Sequence, residues 1–294
     1  MQVVENSCNP GFVYIGQKIG KETLFKYIKN FGFGSKTGID LNGESKGILF
    51  KEENVGPVEL ATTSFGQGVS VTPIQQVVAV SAAINGGYIY QPYIVKSINE
   101  PETNSVILEN KPKVLRKVIS EETSEKVRYA LESVATNGSG RNAFIEEYRV
   151  GGKTGTAQKA VNGSYLVGNY ITSFIGFLPA NDPKVVVYVA IDNAKGVTQY
   201  GGTVAAPIAR NLMVSIIDIL NIEKPSGGSS KKYNWYDKKY ATVNDVTGLS
   251  LSDALNSLKQ FKVEYKGNGD TVIHQSPKGG ESIYEGETVM LYLN

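Results

Sequence analysis

The chain has one cysteine, Cys8, and one histidine, His274, in 294 residues. A lone cysteine excludes an internal disulfide framework but does not settle the redox compartment. A lone histidine on a predicted strand, with no partner nearby in sequence, reads as surface structure rather than a catalytic or metal site. Excess charge is also scarce. Lys and Arg number 30 against 28 Asp and Glu, a net +2, which gives no electrostatic case for nucleic acid or a membrane surface. No apolar run reaches the roughly 18 residues needed to cross a bilayer; the best, 185–191 and 213–220, are too short. No leader pattern follows Met1, and Gln2-Val-Val-Glu-Asn-Ser7 reads like the middle of a domain. What is present is core-forming material. Hydrophobic residues make up 41% and charged residues 20%, which suits one large domain plus a small one.

Local patterns then order the chain. Pro10 suits the first turn of a short helix ending near Gly20, and 21–31 forms a second, with Leu24, Tyr27, Ile28 and Phe31 at helical spacing. A glycine-rich loop containing Lys36-Thr37-Gly38 follows. Residues 57–63 suggest a short helix and Ser64-Phe-Gly-Gln-Gly68 a tight turn. Thr72-Pro73 caps a helix, apolar nearly all round, that stops at Asn85-Gly86-Gly87. Strands are expected at 88–98 and 113–119, joined by a polar connection at 99–111. An amphipathic helix follows at 121–136, then a flexible turn, Asn137-Gly-Ser-Gly-Arg141. Strands at 148–158, 170–178 and 184–192 should make one antiparallel sheet, with 159–169 as a polar loop and 185–191 buried on both faces. A helix from Ala206-Pro207 to Leu220 should pack across it with Ile208, Leu212, Ile216 and Ile219 or Leu220 inward. Residues 223–239 are a linker by composition. Its Ser229-Ser-Lys-Lys232 is a formal Ser-x-x-Lys, but a Gly/Ser linker cannot hold a lysine against a serine. Residues 240–294 form a separate unit, with a helix starting at Ser250 and strands at 262–265, 271–275 and 288–293. The fold class is therefore α+β, an antiparallel sheet flanked by helices plus a small α+β domain.

The chemistry concentrates in Arg149-Val-Gly-Gly-Lys-Thr-Gly-Thr-Ala-Gln158. Gly151 and Gly152 leave room for another backbone or a substrate to approach. Lys153 offers a cation, Thr154 and Thr156 hydroxyls, and the strand edge free N–H groups; together these suit a ligand with a carboxylate and a carbonyl. Lys-Thr-Gly alone is unspecific, as the copy at 36–38 shows. The long form Gly-Lys-Thr-Gly-Thr-Ala-Gln resembles the third active-site motif of penicillin-binding proteins. Gly-Gln-Gly before a Thr-Pro helix agrees. Val246-Thr-Gly-Leu-Ser, Gln275-Ser-Pro-Lys-Gly-Gly280 and Gly286-Glu-Thr-Val resemble the PASTA domain associated with such proteins. The chain is similar to a class B transpeptidase of the division or stage V sporulation protein D kind, with residues 1–222 as the penicillin-binding domain, 223–239 as linker and 240–294 as PASTA domain.

The resemblance implies roles. Lys153, Thr154 and Gly155 would orient the carboxylate of a D-alanyl-D-alanine stem peptide, or of a β-lactam. Thr156 would lend its N–H to the oxyanion hole. Ser7 would relay a proton at the leaving amine, and Asn9 would hold the acyl side chain's amide. Without the resemblance, Ser7 and Asn9 before a helix are ordinary caps. The acylated serine of the family lies in Ser-x-x-Lys upstream of Ser-x-Asn, and only six residues precede Ser7. This reading expects a C-terminal part of a transpeptidase, inactive alone, with an exposed apolar surface. It places the protein at the outer face of a bacterial membrane, working with a membrane glycosyltransferase and not with nucleic acid. No cofactor is expected; Cys8 is either a small semi-buried thiol or a zinc ligand. A β-lactamase or carboxypeptidase relative, and a non-catalytic wall-binding scaffold, remain as alternatives.

Overall fold

The computed structural model describes residues 1–161, 164–231 and 239–294. Backbone contacts divide the chain into Met1–Lys231 and Lys232–Asn294. The first unit runs α1 (Gln2–Glu5), α2 (Asn9–Ile19), α3 (Lys21–Asn30), α4 (Pro57–Ser64), α5 (Pro73–Ile84), β1 (Tyr88–Tyr90), β2 (Ser97–Asn99), β3 (Val106–Glu109), β4 (Val114–Lys117), α6 (Glu121–Asn137), β5 (Gly151–Val161), β6 (Ser164–Leu178), β7 (Val185–Asp192) and α7 (Gly201–Leu220).

Local chemistry starts several of these elements. Thr72 caps α5: its hydroxyl accepts from Gln75 N, while the Gln75 carboxamide oxygen accepts from Thr72 N. The Gln75 amide nitrogen also donates to the carbonyls of Ser35 and Lys46, so the buried glutamine anchors the loop carrying the first Lys-Thr-Gly. Ser120 caps α6 by accepting from Thr123 N.

The sheet that carries the central motif has the order β5-β6-β7, antiparallel throughout. Side chains alternate across β6. Phe174 and Leu178 join a core with Ala205, Ala209 and Met213 of α7, while Phe177 packs on the opposite face with Ile84 of α5. β5 pairs on one side only among the described residues, so its other edge is open to the site.

Four expectations need correction. The strand expected at 88–98 is broken into β1 and β2, and the polar connection at 99–111 contains β3, which pairs with β2 as a second small hairpin beside the β1–β4 pair. The loop expected at 159–169 is largely strand, because β5 and β6 stay in register to Ala160–Tyr165 and Val161–Ser164. β7 is half-buried rather than buried on both faces; among the described residues it pairs only with β6, so one edge lacks a neighbouring strand. Finally, α7 starts at Gly201, with Pro207 inside it, and its inward face is rotated. Ala205, Ala206, Ala209, Met213 and Ile217 are buried, whereas Ile208, Leu212, Ile219 and Leu220 are exposed. A helix apolar nearly all round does not choose its own face. Packing on β6 chooses the face: Ala205, Ala206, Ala209 and Met213 join the core with Phe174, and a side chain at Gly176 would meet the Phe174 ring and then Met213. By length and composition α7 could cross a membrane, and here it is the helix over the sheet.

The second unit comprises β8 (Tyr240–Thr242), α8 (Leu251–Ser257), β9 (Lys262–Lys266), β10 (Val272–Ser276), β11 (Ser282–Tyr284) and β12 (Thr288–Leu293). β12 lies between β10, antiparallel, and β9, parallel; β8 pairs with β11. Val246, Ala254, Leu258, Val272, Val289 and Leu291 form its own core. His274 is exposed on β10, its ring near Tyr292. The two units divide inside the segment read as a linker. Of that segment, residues 232–238, including Lys232 of the formal Ser-x-x-Lys, lie outside the described residues.

Candidate active site

A cleft of about 830 Å³ opens beside β5. One wall is the turn from α1 into α2, bearing Ser7 and Asn9. A second is β5 from Lys153 to Thr156. The turn after α4, the turn after α6 and the start of α7 close the rest.

Ser7 sits between two helices with φ of 52°, a left-handed conformation that costs a non-glycine residue roughly 1–2 kcal/mol. The strain has a visible use. The sharp turn aims the Ser7 hydroxyl at β5, where it accepts a 2.7 Å hydrogen bond from Lys153 Nζ across 146 residues of sequence. Neither Ser7 nor Asn9 is a helix cap: Cys8 occupies that position and no side chain caps α2. Asn9 is exposed on the cleft wall. Cys8 is exposed too, so it is not a space-filling thiol; the turn that directs Ser7 inward leaves its neighbour in solvent. Among the described residues no group of three His, Cys, Asp or Glu could hold a metal.

Lys153 also donates to its neighbour's carbonyl, Thr154 O, at 3.0 Å. No carboxylate pairs with it among the described residues. Burial pulls its pKa down from an ordinary 10.5 to about 8. The site therefore holds a partly desolvated cation with a hydroxyl partner and no counter-ion. Below pH 8 the ammonium persists and a carboxylate ligand gains its full attraction. As pH rises above 8, ligand affinity should fall, approaching about tenfold per unit until the pKa of the complex is reached. The stability effect has the opposite sign. Between 8 and 10.5 the unfolded chain holds a proton that the folded chain has lost, so stability should rise with pH. Titrating ligand affinity and urea stability over pH 7 to 10 checks both slopes.

The glycines of the motif work differently from expectation. Gly151 and Gly152 are buried, and a side chain on either would enter the rings of Phe177 and Phe174. They make room for the core, not for substrate. Close approach belongs to Gly155 and Gly201. A side chain on Gly201 would strike the Gly155 and Ser173 carbonyls, and Gly201 N donates to Thr156 Oγ1 at 3.1 Å. The motif's last hydroxyl thus pins the first turn of α7 against the strand.

The first Lys-Thr-Gly lies in a loop after α3. Thr37 N, Thr37 Oγ1 and Gly38 N all donate to the carboxylate of Glu44. This copy already grips an anion, its own, so its Thr37 and Gly38 donors are taken.

The sequence reading left out several cleft residues. Phe65 and Gln67 lie on a turn where Gly66 and Gly68 are left-handed; the signal was the glycine pair around a polar residue, set aside as a tight turn. Ser139, Arg141 and Asn142 come from the turn after α6, and Tyr200 to Thr203 from the start of α7. Nothing in their local sequence marks them beyond glycine content.

Comparison with known proteins places the chain in a family. Residues 1–214 match the penicillin binding protein transpeptidase domain. The chain belongs to that transpeptidase family. Residues 241–294 match the PASTA domain. Stage V sporulation protein D of Bacillus subtilis is 57% identical over 293 residues, covering 100% of this chain and 45% of that protein. The peptidoglycan D,D-transpeptidase FtsI homolog of Mesostigma viride is 36% identical over 239 residues, covering 75% of this chain and 40% of its own length. Among solved structures, penicillin binding protein 3 from Mycobacterium tuberculosis complexed with aztreonam superposes with a TM-score of 0.71 at 28% identity, covering 79% of this chain and 54% of that one. The apo transpeptidase domain of Burkholderia pseudomallei penicillin-binding protein 3 gives 0.67 at 29%, covering 76% and 65%. The chain spans less than half the length of these two curated relatives.

Proposed function

We propose that the cleft is the donor-peptide site of a peptidoglycan D,D-transpeptidase that also takes β-lactams. The observation that carries this is the Lys153–Ser7 hydrogen bond, which joins two separate motifs on adjoining walls of the cleft. A stem peptide ending in D-alanyl-D-alanine has a carboxylate for Lys153 and Thr154 and a carbonyl for the N–H of Thr156. The reaction has two acyl transfers. A serine oxygen attacks the penultimate carbonyl, the C–N bond breaks, and the departing D-alanine amine takes a proton. A second stem peptide's amine then attacks the acyl-serine ester and releases the serine. Ser7 lies 2.7 Å from the Lys153 ammonium, so it can hand a proton to the leaving amine and be reprotonated. Asn9, exposed on the same wall, would hold the amide of the acyl chain. Held donors at the oxyanion position lower the barrier by about 3 kcal/mol each.

The acylated serine belongs to the Ser-x-x-Lys segment of the family, and the partner in wall synthesis would be a membrane glycosyltransferase at the outer face of the membrane. The PASTA domain would contact wall fragments or act as a spacer. The aztreonam complex of the mycobacterial relative supports the β-lactam part of the reading. The test is intact mass after incubation with benzylpenicillin, on a polypeptide joining this sequence to the family's Ser-x-x-Lys segment. One added β-lactam per chain, lost when that serine is replaced by alanine, is expected; an unchanged mass would reject the proposal.

A further inference from the structure

We infer that Ser139 is a positioning residue that turns the Thr154 hydroxyl toward an anionic ligand, an inference that rests on the carboxylate-binding reading above. Ser139 lies in the Asn137-Gly-Ser-Gly-Arg141 turn, whose composition suggests flexibility. In the structure this turn is clamped from three sides. Ser139 N donates to the Glu5 carbonyl at 2.8 Å, and the Glu5 carboxylate accepts from Ser133 Oγ of α6. A side chain on Gly138 would strike that same Glu5 carbonyl. Gly138 N and Gly140 N both donate to Val134 O. On the third side the Ser139 carbonyl lies where a side chain on Gly202 would have to go, and Asn142 Nδ2 donates to Gly202 O at 2.8 Å. One turn thus joins the helix before Ser7, the start of α7 and β5.

From this fixed position Ser139 Oγ reaches Thr154 Oγ1 at 2.8 Å. Each hydroxyl has one proton, and either can donate while the cleft is free. A carboxylate settles the direction, because an anion only accepts. Thr154 then gives its proton to the ligand, and its oxygen accepts from Ser139. Ser139 pays no reorganisation for this, since its backbone is already held. A chain of two hydroxyls ending on an anion is polarised along its length, which strengthens the terminal bond. Ser139 therefore acts on the charged end of the ligand and not on the neutral remainder.

The experiment is an amide chemical-shift titration of the chain with N-acetyl-D-alanyl-D-alanine and with its C-terminal carboxamide. Ser139→Ala keeps the backbone N–H that holds the turn and removes only the hydroxyl. It should weaken the carboxylate ligand about five- to tenfold and the carboxamide less than twofold, with an unchanged melting temperature. Ser139→Thr, which restores a hydroxyl, should bind the carboxylate within about twofold of the parent chain. Equal loss for both ligands, or no loss for the carboxylate while Lys153→Met still abolishes its binding, overturns the role of Ser139 alone. If Lys153→Met binds the carboxylate as well as the parent does, the underlying carboxylate reading fails with it.

Discussion

Replacing Lys153 by methionine should reduce affinity for a carboxylate-ended peptide by about a hundredfold while leaving the protein as stable as before, or more so. The first half follows from the missing counter-ion. Lys153 has hydroxyl and carbonyl partners but no carboxylate among the described residues, and burial already holds its pKa near 8. An incoming carboxylate supplies the charge the site lacks. Removing one member of a desolvated, hydrogen-bonded charge pair weakens binding by 2–5 kcal/mol or more, and about 2.7 kcal/mol is a hundredfold. The second half follows from the same burial. Holding an uncompensated ammonium away from water opposes folding, and methionine has similar length with no charge. Ser7 would lose a donor but lies at the cleft, where water can replace it. Peptide titration and urea unfolding on one sample check both halves. A variant that both binds poorly and unfolds early would point to a structural lysine instead.

Replacing Arg149 by methionine should have the opposite profile, a large loss of stability. Glu132 of α6 has a side chain only 3% exposed. Arg149 meets it with two bonds, Nε at 3.0 Å and Nη2 at 2.7 Å, and Ser229 N adds a third at 3.2 Å. The hydrogen bonds from the guanidinium to Glu132 raise the Arg149 pKa, so the cation persists at all working pH values. Taking Arg149 away strands a buried carboxylate, a change worth about 3–5 kcal/mol. Replacing both partners, Arg149→Met with Glu132→Leu, should recover most of that, because no uncompensated charge remains. The carboxylate also holds the chain after α7: a side chain at Gly228 would crowd both Arg149 and Glu132. The Arg149→Met variant should therefore also be cut faster by trypsin near Lys224 and Lys231. Urea unfolding of the larger unit and a proteolysis time course measure the two effects. A loss below about 1 kcal/mol in the single variant would mean that water reaches Glu132 and the pair is a surface feature.

These two residues lie four apart on one stretch, yet only one was legible as functional and neither partner was predicted with its geometry. Lys153 stood out because Gly-Lys-Thr-Gly-Thr-Ala-Gln is long enough to be specific. Arg149 did not, because its partner is 17 residues away on a helix whose apolar stripe gave no hint of a buried glutamate. Ser7 and Asn9 were recognisable only through the family resemblance; taken alone they looked like caps, and the structure shows that they cap nothing.

What the chain order determines by itself is whatever depends on near neighbours. Periodicity, turn residues and capping pairs located most helices and strands. The motif strand, the antiparallel sheet and the second unit with its own core all follow from runs of residues that interact over a few positions. Tertiary structure alone decided which face of α7 turns inward, why Gly151 and Gly152 lack side chains, and which hydroxyls meet Lys153 and Thr154. Each of those is settled by contact between segments far apart in sequence, where close packing leaves space for one side chain and not another. A pattern of residue types records that a position is small, polar or charged; only the folded chain determines what stands opposite it.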